Sequence, residues 1–328
     1  MSSPAAVPPP VTEVIEVAGD WLPPRLAQVE ERLAQVATGH GPDLGSEAEA
    51  TLAAGGKRLR PLLLLICAGD QGAESAIPAA TAIELVHMAT LVHDDVLDGA
   101  PVRRGHPTVF ARSGRDAAVG VGDLLFSRAF AELAAADGAE SQVAELSAAS
   151  VGLALGELAQ RRDAYDLALD EDRYTRRCAL KTAKLFESAC RIGRLASGRP
   201  GVEDLGAFGR EIGLAFQMLD DVLDVTGPFE RTGKARGTDL LDGTVNLPLI
   251  VAIRRDPSLA DLDLHGLDPA GAEAACDRIA ATGALDEVRE RARAAISSAK
   301  GSLDSPDFTD ADRMVLGLIA NALVERYS

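Results

Sequence analysis

The spacing of apolar residues is the feature that most limits the fold of this 328-residue chain. Apolar side chains recur at intervals of three and four positions in long windows at 80–98, 139–162, 202–225 and 308–326. This period is typical of α-helices that bury one face, and the alternation expected of β-strands is scarce. We therefore predict an all-α protein of roughly ten or more helices with no sheet.

Breaks that contain Gly or Pro separate these windows and predict where helices end. They lie at 41–42, 99–101, 198–201 and 226–228. No linker clearly divides the chain into separate domains. We therefore expect one large helical domain.

The start of the chain differs in composition from the rest. Residues 1–11 are rich in Pro and Ala and lack the basic segment of a signal peptide, so we interpret 1–20 as a flexible tail. The single helical domain is then expected at 21–328. The longest apolar run, 62–68, is too short to span a bilayer, so we predict no transmembrane segment.

Charge and cysteine content exclude other classes of protein. The net charge is −17, whereas proteins that bind the phosphate backbone of nucleic acids normally carry a basic surface. The four cysteines are far apart and form neither a zinc-binding pattern nor a disulfide framework. We expect a cytoplasmic protein with no nucleic-acid partner. The cysteines are Cys67, Cys178, Cys190 and Cys276.

An acidic pentad, Asp-Asp-Val-Leu-Asp, occurs twice, and each copy ends an apolar helical window. The first copy contains Asp94, Asp95 and Asp98 (the first aspartate triplet), and the second contains Asp220, Asp221 and Asp224 (the second aspartate triplet). Residues four apart lie on one face of a helix, where like charges repel. All-carboxylate oxygen ligands suit Mg²⁺, which usually shares them with substrate phosphates and water. Two acidic surface turns that recur by coincidence are the alternative.

Basic residues cluster near these acids and indicate anion sites. Gly55 and Gly56 precede Lys57 and Arg60, and glycine lets a backbone approach a ligand closely while Arg binds phosphate oxygens with two donors. A basic helix start is the alternative interpretation of this segment. Further candidates are Arg103, Arg104, Lys181, Thr182, Lys234 and His87, which lies two turns before Asp94 on the same helix face.

With these residues identified, the chain resembles the trans-polyprenyl diphosphate synthase family from about residue 50 to its end. The motifs that carry the resemblance are GGKRLRP at 55–61, HDDVLDGAPVRRGHPT at 93–108, GELAQ at 156–160, KT at 181–182, FQMLDDVLD at 216–224 and GKARGTDL at 233–240. The resemblance implies a bundle of long helices around a central cavity, usually in a homodimer. It also implies that the protein condenses isopentenyl diphosphate with an allylic diphosphate. Whether the protein contacts a membrane at its surface to release product stays an open alternative.

The resemblance also implies roles for individual residues. Both aspartate triplets would hold Mg²⁺, about three ions per site and replaceable by Mn²⁺, on the allylic diphosphate. The direct ligands would be Asp94, Asp98 and Asp220. Isopentenyl diphosphate would contact Lys57, Arg60, His87 and Arg104. The allylic substrate would be surrounded by Arg103, Lys181, Thr182, Gln217 and Lys234, of which Lys181, Thr182 and Gln217 would join the aspartates in catalysis.

Two positions bear on efficiency and product length. Thr244 stands where the family commonly has Lys, so one diphosphate contact is missing or replaced. Ala89 and Thr90, with Val86 one turn earlier, carry no aromatic ring that would close a product cavity. We expect a product longer than farnesyl, roughly C30 to C50, with geranylgeranyl diphosphate as the alternative, since one helical turn of about 5.4 Å corresponds to one isoprene unit. Tight helix packing at these positions is the other interpretation.

Two rival functions stay open on the sequence alone. A class I terpene cyclase shares the metal and carbocation chemistry but usually has one DDxxD motif and lacks GGKRLRP. A non-catalytic subunit of a heteromeric synthase would be expected to lose its aspartates.

Overall fold

The computed structural model describes residues 9–38, 41–53, 58–103, 105–136, 138–227 and 236–325. Three residues with predicted roles, Lys57, Arg104 and Lys234, lie outside these ranges, as do Gly55 and Gly56.

Helices dominate the described residues. In chain order they are α1 Pro9–Ala18, α2 Leu22–Thr38, α3 Gly41–Ala53, α4 Leu59–Ala73, α5 Ile77–Asp98, α6 Val109–Ala134, α7 Glu140–Arg162, α8 Glu171–Cys178, α9 Lys184–Ser197, α10 Val202–Thr226, α11 Thr238–Leu241, α12 Leu247–Arg255, α13 Pro269–Ala281, α14 Ala284–Gly301 and α15 Asp310–Glu325. A π-helical turn, Ala179–Ala183, joins α8 to α9, and short 3₁₀ turns cover Pro257–Asp261 and Leu264–Gly266. The all-α prediction is confirmed, and the four predicted windows correspond to α5, α7, α10 and α15.

One short hairpin departs from the expectation of no sheet. Strand β1, Val102–Arg103, pairs antiparallel with β2, His106–Pro107. Gly105 in the connecting turn has a φ of 79°, in the left-handed region that glycine adopts without strain. Apolar periodicity could not predict a ladder of two residues per strand.

The described residues form two compact units. The first is built from the described parts of 1–150, 185–206 and 303–319, and the second from those of 151–184, 207–302 and 320–328. The first aspartate triplet belongs to the first unit and the second triplet to the second unit. Residues 9–18 of the expected tail form α1, in which Val14 is buried.

The core of the first unit includes α5, which is buried continuously from Thr81 to Val86. Helix α5 packs along α6, and the contact is so close at Gly122 that an added Cβ would collide with the ring of His93. Pro78 lies in the first turn of α5, and Gly99 caps the helix with a left-handed φ of 61° and an N–H bonded to the carbonyl of Asp95. The helix therefore ends at the last residue of the first aspartate triplet.

The core of the second unit is an apolar cluster around Tyr174, Val222 and Leu249. Helix α10 contributes to this cluster and ends at Thr226, within the predicted break. None of the helices in the described part of the chain combines the length and apolar character needed to cross a membrane.

Candidate active site

The first aspartate triplet lies in the last turns of α5. Asp95 is buried, and its Oδ1 accepts a hydrogen bond of 2.7 Å from Nε of Arg103 on β1. Asp94 is half-buried and Asp98 is exposed. Because Asp94 and Asp98 are four residues apart, they share a helix face that differs from that of Asp95.

An open cleft in the first unit brings several predicted residues together. The cleft has a volume of about 540 Å³, including the part that is open to solvent. Its lining includes His87, Asp95 and Arg103. Arg60 has a different contact, since its guanidinium carbon lies 4.6 Å from the centre of the Phe186 ring. The structure therefore groups one residue predicted for isopentenyl diphosphate, His87, with two predicted for the allylic diphosphate.

A second pair in this cleft was missed by the sequence interpretation. Arg58 precedes α4 with a left-handed φ of 46°, which is uncommon for a residue with a side chain. Its guanidinium bonds Glu30 and, at 2.9 Å, the buried Glu84 of α5. Burial acts to lower the pKa of Arg58, but the hydrogen bond that Arg58 donates to Glu30 and the charge of Glu84 outweigh it and raise that pKa. A carboxylate within the apolar start of α5, one turn before His87, was the signal available in the sequence.

The second aspartate triplet lies near the end of α10. Asp220 is exposed and Asp224 is half-buried, whereas Asp221 is only 2% exposed. Asp221 accepts three hydrogen bonds, from the Tyr174 hydroxyl at 2.6 Å, from Nε2 of Gln217 at 2.7 Å and from the backbone N–H of Leu247 at 3.2 Å. Burial and the nearby charge of Asp239 raise the pKa of Asp221 to about 7, against the lowering effect of these hydrogen bonds.

Gln217 connects this triplet to the Lys-Thr motif. The hydroxyl of Thr182 donates a hydrogen bond of 2.7 Å to Oε1 of Gln217. Thr182 and Lys181 lie on the π-helical turn, a local widening of the helix that occurs often at functional sites. Thr182 and Gln217, which share a predicted role, are therefore in direct contact.

The Lys181 side chain forms an ion pair with Glu157 of α7. Burial raises the pKa of Glu157, but the charge and hydrogen bond of Lys181 lower it below its usual value. Gly156 permits this approach, because a Cβ there would lie 2.5 Å from the backbone nitrogen of Lys181. The GELAQ motif thus packs its glycine and glutamate against the residue predicted to bind the allylic diphosphate.

The end of α10 also contacts the segment after 235. The N–H of Gly237 donates to the carbonyl of Asp224, and that of Asp239 lies 3.3 Å from a carboxylate oxygen of Asp224. Thr244, which stands in place of the family's usual Lys, donates its N–H to the carbonyl of Asp239 and is half-buried. Because threonine is uncharged, position 244 offers no cation to a diphosphate.

The donors of each triplet fit Mg²⁺ by their chemistry. Within the described ranges, no three His, Cys, Asp or Glu side chains are arranged as a ready metal site. Carboxylates four apart at the end of a helix are nevertheless the oxygen ligands that Mg²⁺ takes, and substrate phosphates and waters normally complete its shell. Each triplet therefore suits a metal ion that arrives with a diphosphate.

Comparisons with known proteins show the family of this chain. The family model for polyprenyl synthetase matches residues 42–272. Component 2 of the heptaprenyl diphosphate synthase of Geobacillus stearothermophilus is 42% identical over 70% of this chain and 72% of its own length. The geranylgeranyl diphosphate synthase of Methanosarcina mazei is 37% identical over 76% of this chain and 80% of its own.

A solved structure gives the same result for the fold. The polyprenyl synthase of Caulobacter crescentus, in complex with calcium and isoprenyl diphosphate, is 31% identical, with a TM-score of 0.85 over 97% of this chain and 98% of its own. The family model covers more than half of the chain, and the relatives exceed the identity at which family membership is secure. This chain therefore belongs to the polyprenyl synthetase family, whose members are prenyl diphosphate synthases.

Proposed function

We propose that this protein condenses isopentenyl diphosphate with an allylic diphosphate to form a trans-polyprenyl diphosphate. One observation carries the proposal. In both triplets the middle carboxylate is held inward, Asp95 by Arg103 and Asp221 by Tyr174. The first and last carboxylates then share a different helix face, with the spacing that suits metal ions on a diphosphate.

The chain's own residues would bind and orient the two substrates. Metal ions held by Asp94, Asp98 and Asp220 would supply Lewis-acid stabilisation of the leaving diphosphate. The cationic groups assigned to the allylic diphosphate are Arg103, Lys181 and Lys234, and those assigned to isopentenyl diphosphate are Lys57, Arg60, His87 and Arg104. The positive charge of Arg103, Lys181 and Lys234 balances the charge that develops on the leaving diphosphate as the C–O bond breaks.

The remaining steps need no side-chain nucleophile. The polar atoms of Thr182 and Gln217 would lie near the allylic cation once the diphosphate has left. The double bond of isopentenyl diphosphate attacks that cation and forms the new C–C bond. The proton lost in restoring a double bond passes to the released diphosphate.

We propose products longer than farnesyl, in the range of roughly C30 to C50, each isoprene unit needing about one helical turn of depth. Val86 and Ala89 are fully buried on α5, and Thr90 donates its hydroxyl to the carbonyl of His87. None of the three supplies an aromatic floor. Geranylgeranyl diphosphate is the second candidate product, because the relative from Methanosarcina mazei is named a geranylgeranyl diphosphate synthase. Replacing Ala89→Phe is expected to shorten the product on chromatography, and an unchanged length would overturn the floor argument.

We propose that the domain, 21–328, works as a homodimer in the cytoplasm. Helix α7 carries an apolar stripe, Val151, Leu155 and Leu158, with each side chain more than half exposed, as an interface between subunits would need. All four cysteines are free and buried, as expected in a reducing compartment. The name "component 2" of the Geobacillus relative favours a second candidate, pairing with a different chain.

The test is the purified chain with Mg²⁺, radiolabelled isopentenyl diphosphate and farnesyl diphosphate. We expect label in a prenyl diphosphate product, and no product when EDTA removes the metal. Consumption of the allylic substrate without isopentenyl diphosphate would indicate a terpene cyclase. Activity that appears only after a second chain is added would identify a heteromeric synthase, and light scattering of the chain alone would show whether it is a dimer.

A further inference from the structure

Tyr174 is a buried polar residue to which no sequence motif assigns a role. It lies on α8 and is 1% exposed, within the apolar cluster of the second unit. Its hydroxyl donates a hydrogen bond of 2.6 Å to Oδ2 of Asp221. A buried carboxylate needs such donors, because an unsatisfied polar group in the core is costly.

The hydrogen bond is one end of a chain of contacts across three segments. Gln217 donates its amide N–H to the other oxygen of Asp221, and its amide oxygen accepts the hydroxyl proton of Thr182. Because the carboxylate takes the amide donor, the amide oxygen is directed to Thr182. The series of hydrogen bonds therefore runs from Tyr174 on α8, through Asp221 and Gln217 on α10, to Thr182 on the π-helical turn.

The position of Asp221 in α10 explains why this series of hydrogen bonds can affect the aspartate triplet. Asp221 lies between Gln217, one turn before it, and Asp224, near the end of α10. A residue that holds Asp221 therefore limits both the rotation of the end of α10 and the orientation of the Gln217 amide. Hydrogen bonds linked in this way reinforce one another inside a protein.

We propose that Tyr174 is a positioning residue that acts, through Asp221 and Gln217, on the catalytic end of α10. This inference rests on the proposed prenyl transfer and adds a residue to it. The Tyr174 hydroxyl keeps Asp221 out of the metal shell, and Asp220 then projects about 100° around the helix from it. It also holds Thr182 in the orientation needed beside the allylic substrate.

The competing explanation is a tyrosine that only fills the core. The ring is packed in the cluster, and the guanidinium carbon of Arg177 lies 5.4 Å from its centre. In that case the hydroxyl would affect stability but not substrate or metal requirements. The two explanations differ in kinetics, not in folding.

The test compares the wild type with Tyr174→Phe, which removes the hydroxyl and keeps the ring. We expect the Mg²⁺ concentration for half-maximal activity to rise and kcat/KM for the allylic diphosphate to fall about tenfold, which corresponds to a loss of about 1.4 kcal/mol, within the range of one hydrogen bond. The KM for isopentenyl diphosphate should stay unchanged. The matched control is Tyr165→Phe, at an exposed tyrosine that stacks on His265 and whose hydroxyl makes no hydrogen bond to a described residue.

Two further variants complete the test. Thr182→Val alone and in combination with Tyr174→Phe should show non-additive losses, since both ends belong to one chain of hydrogen bonds. Replacement of Tyr174 by 4-aminophenylalanine, a weaker donor, should raise the Mg²⁺ requirement less than Tyr174→Phe does, and it serves alone if Tyr174→Phe does not fold.

The results separate this inference from the proposed function. A lower melting temperature of Tyr174→Phe with unchanged Mg²⁺ and allylic requirements, or an unchanged Mg²⁺ requirement of the 4-aminophenylalanine chain, would overturn the positioning role. Additive losses would do the same. A wild-type chain that makes no prenyl product would instead contradict the proposed function.

Discussion

The two acidic pentads have the same sequence but different surroundings. The middle residue of the first, Asp95, pairs with a cation, the partly exposed guanidinium of Arg103. The middle residue of the second, Asp221, is surrounded by neutral donors in the core and has a pKa raised to about 7 by burial and the charge of Asp239. The same five-residue sequence therefore places Asp95 beside a positive charge and Asp221 among neutral hydrogen-bond donors.

This difference shows that helix spacing determines which carboxylates share a face, while distant parts of the chain determine what the middle carboxylate does. Arg103 follows Asp95 closely along the chain, whereas Tyr174 and Leu247 reach Asp221 from far before and after it. In the first arrangement the cation is partly exposed to solvent. The second is fixed by packing.

The largest effect is expected for the outer carboxylates. Asp94→Asn and Asp220→Asn should each lower kcat by about a thousandfold or more, because several kcal/mol of metal-based stabilisation of the leaving group are lost. Steady-state assays at saturating Mg²⁺ measure this loss. Asp172→Asn, at an exposed carboxylate of α8, is the matched control and should retain wild-type activity. Equal activity of Asp94→Asn and wild type would contradict the assignment.

A smaller loss is expected for the cation of the first pentad. Arg103→Gln removes a charged hydrogen bond to the buried Asp95 and should lower the free energy of unfolding by about 1.5–3 kcal/mol. It should also raise the KM for the allylic diphosphate. Urea unfolding and initial-rate kinetics check the two effects. An unchanged unfolding midpoint would show that Asp95 does not depend on Arg103.

A still smaller and more selective effect is expected for Glu84. Glu84→Gln weakens the bond that holds Arg58 in its left-handed conformation at the start of α4. We expect a rise of a fewfold in the KM for isopentenyl diphosphate, since about 1 kcal/mol is at stake in one hydrogen bond. The KM for the allylic substrate should not change. Equal changes in both values would indicate a general loss of structure.

A separate effect, on stability and not on activity, concerns pH and the second pentad. The folded chain holds a proton on Asp221 up to about pH 7, while the unfolded chain releases it near the ordinary pKa of 3.8. The contribution of Asp221 to stability is therefore greatest at low pH and declines as pH rises from about 4 to about 7. Melting temperatures of the metal-free chain in EDTA should show this decline, and Asp221→Asn should reduce it. The same pH dependence in Asp221→Asn and wild type would contradict the raised pKa.

Much of the helical framework could be predicted from local signals. The ends of α5 at Gly99 and of α9 before Val202 follow from glycine and proline breaks, and the pairing of Asp94 with Asp98 follows from helix period. The contact of Tyr174 with Asp221 and the pairing of Arg58 with Glu84 could not be predicted, because both form through tertiary packing. The β1–β2 hairpin was missed because two residues per strand leave no periodic signal.

The most direct measurement is a crystal structure of the chain with Mg²⁺ and an unreactive thio analogue of the allylic diphosphate. The account predicts metal density at Asp94, Asp98 and Asp220, with Asp221 still bonded to the Tyr174 hydroxyl. A metal ion bound to Asp221, or a diphosphate bound with no metal at either aspartate triplet, would contradict it.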